Sequence, residues 1–346
     1  MHVRPRRDCH RPHIPSTWAL FRPEEGLLSC AGRKKMLTRP GAGREMMPCV
    51  DKAAITPELV ARLVAAQFPR WANLPVRPVE ADGWDNATFR LGEEMSVRLP
   101  SGPGYVPQVE KEHRWLPVLA ARLPLPIPEP LAEGVPGWGY PWPWSIYGWL
   151  PGEPAETARI TDRSEFAAAL AGFLAALYRI DPSGGPEPGG HSCFRGGPLA
   201  FYDAQTREAL TALDGEIDTA RAAEVWQEAL SATWHGPPVW VHGDVSPTNL
   251  LVDNGRLSSV IDFGCSAVGD PACDTGIAWT FLSGDSRATF KAGLPVDDAT
   301  WVRGRGWVLW KSAIVLVGAL RDDPEDARFT KHVIQEVLAD ASGQET

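Results

Sequence analysis

The sequence predicts an α+β chain built as two lobes, a small strand-rich one followed by a larger, mainly helical one. Three observations carry this. Trp84–Leu91 and Met95–Leu99 are strand-like runs on either side of a Gly92–Glu94 turn, so they pair as an antiparallel hairpin. Beyond Pro151-Gly152 the pattern turns helical, beginning with the Ala- and Leu-rich Arg163–Ile180. Inside that helical part, Leu250–Val252 and Ser259–Phe263 flank Asp253-Asn254-Gly255, and Asn-Gly is the strongest short hairpin signal. A chain of 346 residues suffices for two domains at roughly 100–200 residues each. Residues 49–150 are assigned to the first lobe and 151–346 to the second.

Residues 1–48 mix Arg, Pro, Gly and His without helical or strand periodicity, so a disordered basic extension is expected. Met46 or Met47 is then an alternative start, and a targeting peptide is the other reading of the same basic stretch. Thr56–Phe68 opens on a threonine cap and a proline at the first helical position, and Leu59, Val60, Leu63 and Val64 form its apolar stripe. Gln108–Arg122 reads as a helix, then the Pro-punctuated LPLPIPEP, then a strand over Ser145–Leu150. Phe201–Leu213 and Ala220–Thr233 are helical in pattern, Val239–Val241 is a short apolar strand, and Asp298–Leu320 and Asp326–Ala339 are helices.

Composition narrows the function. With 44% hydrophobic and 22% charged residues the chain is globular. The formal charge is −9, but residues 1–45 hold ten Lys/Arg against four Asp/Glu, a net +6, which leaves −15 for the rest. A field of that sign repels nucleic acid and anionic membrane surfaces and attracts cations. No uninterrupted apolar run approaches the ~18 residues of a membrane span. Val308–Leu320 comes nearest, and Lys311 and Ser312 interrupt it. Six cysteines at 9, 30, 49, 193, 265 and 273 form no CxxC pair, so reduced thiols and a cytoplasmic location are expected. Nothing in the sequence sets an oligomeric state.

The chemistry sits in VWVHGDVSPTNLLVDNGRLSSVIDFG, residues 239–264. Asp244 and Asn249 stand five apart on a loop leaving a strand, and Asp262 ends the hairpin that follows, so the hairpin can return it beside Asn249. Such a set suits phosphoryl transfer. A carboxylate orients an attacking hydroxyl or accepts its proton, while an amide oxygen and a second carboxylate hold Mg²⁺, which prefers oxygen and takes few carboxylates. There is no GxxxxGK[ST] loop, no GxSxG elbow and no HExxH pair.

The HGDVSPTN block followed by Asp262-Phe263-Gly264 resembles the signature of the aminoglycoside phosphotransferase and choline-kinase-like family, over about residues 55–340 in element order. The resemblance implies a protein-kinase-like bilobal fold, with an antiparallel sheet in the small lobe and a larger helical lobe. It implies transfer from ATP or GTP, with Mg²⁺, to a hydroxyl of an aminoglycoside-like or other small alcohol. Asp244 would be the catalytic base, Asn249 and Asp262 the metal ligands, and His242 a brace for the loop. Arg98 in Val97-Arg98-Leu99-Pro100 stands where the family's phosphate-holding lysine is usual, with Glu112 as its partner and Glu110 as the alternative. Ser145–Leu150, SIYGWL, resembles the hinge that meets the purine, which brings Tyr147 and Trp149 to the nucleotide. Gly83–Phe89 falls where a phosphate-covering loop would lie, and Asp274 is expected to cap a helix. Asp297, Asp298, Asp322, Asp323, Glu325 and Asp326 lie where the family's acceptor site is expected, and a cationic acceptor would suit them. The other reading, motivated by Arg98, is a nucleotide-binding pseudokinase or regulatory module without turnover.

Overall fold

The computed structural model describes residues 51–79, 83 and 85–343. The expected basic extension at 1–48 lies outside the described residues, as do Trp84 and the cysteines at 9, 30 and 49. The first part of the chain forms α1 (Pro57–Gln67), β1 (Val76–Pro78), β2 (Asn86–Leu91), β3 (Met95–Pro100), α2 (Val106–Ala120), β4 (Pro130–Gly134) and β5 (Trp144–Gly148). Thr56 caps α1 through its hydroxyl, which accepts from the Leu59 N–H at 3.3 Å. The five strands make one sheet in the order β1-β2-β3-β5-β4, with every neighbour antiparallel. Ala87, Phe89, Leu91, Val97, Leu99, Trp144 and Ile146 turn one face of that sheet onto Val60, Leu63 and Val64 of α1, forming a small core.

The second part holds β6 (Glu153–Pro154), α3 (Arg163–Tyr178), α4 (Asp203–Ala212), α5 (Thr219–Ser231), β7 (Val239–Val241), β8 (Leu250–Asp253), β9 (Arg256–Val260), β10 (Ala267–Gly269), α6 (Ile277–Thr280), α7 (Gly284–Gly293), α8 (Asp298–Asp322) and α9 (Pro324–Ala341). Its core is larger and is built on α3 and α8. The apolar run at Val308–Leu320 lies within α8, where Val308, Leu309, Ala313 and Leu316 are buried. No described helix is long and apolar enough to cross a membrane. Leu116 and Leu119 of α2 pack into this larger core rather than the small one. One helix therefore couples the two parts.

Two differences from the sequence reading matter for the site. The predicted helix at Phe201–Leu213 begins instead as a 3-10 turn, Leu199–Tyr202, because Pro198 precedes it and the Tyr202 hydroxyl donates to the Cys193 carbonyl at 2.7 Å. The strand predicted at Ser259–Phe263 stops at Val260. Asp262 lies beyond the ladder with φ 64°, a left-handed conformation that Asp tolerates better than branched residues. That twist takes it out of the hairpin and points it to the cleft between the parts.

The hairpin delivering it turns on Asn254 (φ 51°) and Gly255 (φ 79°), both left-handed as a two-residue turn of this type requires. A Cβ on Gly255 would overlap the Thr161 hydroxyl, whereas at Gly215 (φ 80°) it would meet nothing within 4 Å. Gly215→Ala is expected to lose about 1 kcal/mol for the left-handed backbone alone. Gly255→Ala should lose measurably more in urea denaturation; equal losses would mean the Thr161 contact yields freely.

Candidate active site

The loop leaving β7 is held by buried polar contacts. Asp274 accepts hydrogen bonds from the backbone N–H groups of His242 (2.9 Å) and Gly243 (2.7 Å). It thus caps this loop; the helix-capping role expected for it falls to Asp270, which accepts from the Ala272 N–H at 3.0 Å. His242 Nδ1 accepts from the Asp244 N–H at 3.2 Å, so Nε2 carries the proton and donates to the Ile261 carbonyl at 3.0 Å. The ring must be neutral to do both, and burial, opposed by the Ile261 contact, takes its pKa down to about 4. Gly243 has φ 83°, and a Cβ there would overlap the Cys265 carbonyl. Only glycine fits that crossing.

The same contacts bring the three signature residues together. Asn249 Nδ2 donates to the Asp244 carbonyl at 3.0 Å and to Asp244 Oδ2 at 2.9 Å. The Ile261 N–H donates to the Asn249 carbonyl at 2.9 Å, clipping the returning hairpin onto the loop one residue before Asp262. Burial pushes the Asp244 carboxyl up to about 6, against the pull of Arg195. Asp262 behaves oppositely: burial disfavours its charge, but Arg98 and the Gly264 N–H outweigh that and hold it below the usual range.

Arg98 organises the other side of the cleft. Its guanidinium lies 3.3 Å from Asp262 Oδ1, 3.7 Å from Glu112 Oε1 and 3.7 Å from Asp85 Oδ2. Of the two glutamates weighed from sequence, Glu112 faces it and Glu110 is exposed. The planar fork of arginine can address several carboxylates at once. The Tyr147 hydroxyl donates to Glu112 Oε2, so Tyr147 joins this cluster through its side chain. Trp149 does not. Its backbone N–H donates to the Glu94 carbonyl at 2.8 Å, and its half-exposed ring lies under the Arg90 guanidinium at 3.8 Å.

Sequence reasoning missed four residues. Asp85 is buried at the end of the Gly83–Phe89 loop, and burial followed by the Asp262 charge pushes its carboxyl up to about 7. Lys111 Nζ donates to the carbonyls of Gly264 (2.6 Å) and Ser266 (3.0 Å), tying α2 to the segment that carries Asp262. Arg195 and Lys311 line a pocket against Asp244, together with Ser246, Thr280 and Trp307. Lys311 left a trace, as the charge interrupting an apolar run, and Asp85 lay within the Gly83–Phe89 stretch; Lys111 and Arg195 were not singled out. The acidic residues expected around an acceptor do not line this pocket. Asp297 accepts from the Thr300 N–H at 2.8 Å and starts α8, and Asp323 accepts from the Glu325 and Asp326 N–H groups and starts α9. Asp298, Asp322 and Glu325 are exposed, and buried Asp326 accepts from the Thr330 hydroxyl at 3.1 Å.

The donor set fits a hard divalent cation. Among the described residues, Asp262 Oδ2 and Asn249 Oδ1 accept no hydrogen bond, so one carboxylate and one amide oxygen remain. No group of three His, Cys, Asp or Glu among the described residues could hold a metal by itself. Two protein oxygens suit Mg²⁺, which keeps waters and binds through phosphates.

Residues 76–307 match the family model described as the phosphotransferase enzyme family. Among solved structures, the chain is similar to a GDP complex of a mutant aminoglycoside 2′-phosphotransferase-IIIa, with TM-score 0.63, 20% identity, and coverage of 83% of this chain and 99% of that one. It is also similar to an ADP-bound aminoglycoside phosphotransferase (TM-score 0.53, 21% identity, 82% and 98% covered). A third is the macrolide 2′-phosphotransferase of Brachybacterium faecium (TM-score 0.52, 22% identity, 80% and 97% covered). At such identities these likenesses establish the shared protein-kinase-like fold. No curated protein matches the sequence.

Arg98→Met would strand three carboxylates. A loss of about 3–5 kcal/mol in folding stability is expected near pH 8. The loss should shrink toward pH 5, because carboxyls without their cation have raised pKa values in the folded state and shed charge by taking up protons. Urea denaturation at both pH values checks this; a pH-independent loss would contradict it.

Proposed function

Because the chain belongs to the phosphotransferase enzyme family, we propose that it moves the γ-phosphoryl group of ATP or GTP to a hydroxyl of a small molecule bound beside Asp244. The observation that carries this reading is the paired contact of Asn249 Nδ2 with Asp244, together with the Ile261-to-Asn249 clip that sets Asp262 next to them.

Each residue has a part in the chemistry. Asp244 Oδ2 is oriented by Asn249. Its carboxylate directs the acceptor hydroxyl and takes its proton as the new O–P bond forms. The bond between the γ-phosphorus and the bridging oxygen breaks, and its electron pair leaves with the nucleoside diphosphate. Arg98, held by Glu112, reaches the α- and β-phosphates. Asn249 Oδ1 and Asp262 Oδ2 would hold Mg²⁺, which neutralises phosphate charge when bound. His242 touches neither substrate; its two ring nitrogens tie Asp244 to Ile261. GDP in one similar structure and ADP in another support a purine nucleotide and leave both donors open.

A module that only binds nucleotide would have no use for an oriented carboxylate facing a pocket away from the phosphate-holding arginine. The deciding experiment is release of ADP or GDP, with Mg²⁺, over small alcohols of differing charge. Asp244→Asn is isosteric and removes only the proton acceptor. It is expected to cut kcat by about 10²–10⁴-fold while leaving nucleotide affinity by calorimetry unchanged. Wild-type turnover in that variant would refute the assigned role.

A further inference from the structure

The two sides of Asp244 differ in charge. On the nucleotide side one guanidinium, Arg98, faces three carboxylates. That surplus of negative charge suits a metal–nucleotide complex. On the other side the pocket wall holds two cations, Arg195 and Lys311, and its only carboxylate is Asp244 itself. All these lining groups belong to the second, helical part of the chain. A positive pocket in a chain of formal charge −9 needs a physical reason.

Arg195 supplies the clearest sign. It is 7% exposed, and its guanidinium lies over the rings of Trp310 (4.8 Å) and Trp307 (5.1 Å). Among the described residues its Nε has no hydrogen-bond partner. Buried guanidinium groups are ordinarily paired with a carboxylate, as Arg303 is by Asp270 at 2.6 and 3.0 Å even though its Nη1 has no partner among the described residues. The tryptophans fix the Arg195 plane, so its donors stand in place before any ligand arrives. Lys311, 5% exposed, comes one residue after Trp310 on α8. Burial and the Arg195 charge together draw its ammonium down to about 7. The nearby thiol of Cys193 is drawn down to about 7 by its hydrogen bond to Cys265, against burial, and by Arg195.

A guanidinium held in a low-dielectric wall with an unpaired Nε is costly unless an anion completes the site. Asp244 completes it only in part, because Oδ2 already accepts from Asn249. The remaining walls, Trp307 and Val308 with the hydroxyls of Ser246 and Thr280, suit a small polar molecule with a carbon body.

We propose that the acceptor is a hydroxy compound bearing an anionic group, a carboxylate or a phosphate, which Arg195 and Lys311 hold while its hydroxyl faces Asp244. This rests on the phosphotransferase reading and names its substrate class. The transfer itself is unchanged: the hydroxyl oxygen bonds the γ-phosphorus, its proton goes to Asp244, and the nucleoside diphosphate departs with the electron pair. The anion is a handle and takes no part in bond making.

The test uses the full chain with Mg²⁺ and ATP or GTP, and reads nucleoside diphosphate release. Gluconate, glycerate and ribose 5-phosphate are compared with their uncharged counterparts glucose, glycerol and ribose, and with the cationic alcohols choline and kanamycin. The expected result is a kcat/KM for at least one anion roughly 10–100-fold above its neutral counterpart. The carboxylate and phosphate arms show which anion the site takes. Arg195→Met and Lys311→Met should each raise the KM for that anion by about tenfold or more, with nucleotide KM unchanged, and Arg195→Lys should restore part of the loss. Preference for choline, kanamycin or the neutral alcohols would overturn the proposal and leave phosphoryl transfer standing. So would a fall in kcat alone, equal for every acceptor, which would assign the two cations to the transferred phosphoryl group. Failure of every anion to be phosphorylated also overturns it. The phosphotransferase reading falls only if no acceptor of any charge releases diphosphate. The wild-type comparison decides the matter even where a variant does not fold.

Discussion

The guanidinium of Arg98, with its three carboxylates, is the contact on which the site depends. Asp85, Glu112 and Asp262 reach it from the end of a loop, from α2 and from the segment after β9. Without the cation these three acids would repel one another across a buried cleft. With it, each places the element that carries it. Lys111, the neighbour of Glu112 on α2, adds the second fastening by donating to Gly264 and Ser266. One helix thereby registers the sheet against the segment that carries Asp262 through two adjacent side chains of opposite charge. The arrangement is also poised for exchange, because a phosphate oxygen is a better partner for arginine than a carboxylate at 3.7 Å.

Beneath that cluster, the loop of Asp244 is fixed by contacts that are almost all to backbone groups. Asp274 holds its start, His242 ties it to Ile261, and Asn249 closes it. Backbone partners leave little rotamer freedom, so the loop holds the Asp244 carboxylate in one orientation beside Asn249. The charge asymmetry on either side of Asp244 follows from which elements contribute: the loop before β2, α2 and the segment after β9 bring acids around Arg98, while α8 and the loop before α4 bring Lys311 and Arg195 to the pocket wall.

The sequence made the order of elements and the Asp244–Asn249–Asp262 set legible, because those residues lie within one short stretch and a hairpin with an Asn-Gly turn joins them. The pairing of Arg98 with a carboxylate of α2 came from the family resemblance, which left Glu112 and Glu110 open; the fold turns Glu112 to the guanidinium. What was not legible depends on distant parts of the chain. Arg195 and Lys311 are separated by more than a hundred residues and come together only in the folded pocket wall, where the Arg195 guanidinium lies over the rings of Trp307 and Trp310. Asp297 and Asp323 looked like an acidic pocket because charge counting cannot tell a helix cap from a ligand wall. Each begins a helix, where backbone N–H groups take its oxygens. The left-handed turn at Asp262 was hidden because the hydrophobic pattern of β9 continues through Ile261 and Phe263. Trp149, in the run that resembles a hinge, follows β5 with its ring under the Arg90 guanidinium.

The most direct measurement is a crystal structure with Mg²⁺ and a non-hydrolysable nucleoside triphosphate. The metal should be bound by Asn249 Oδ1 and an Asp262 oxygen, with Arg98 on the phosphates and the γ-phosphorus in line with the pocket in front of Asp244. A nucleotide seated elsewhere, or a metal that leaves Asn249 and Asp262 untouched, would contradict the site described for this chain.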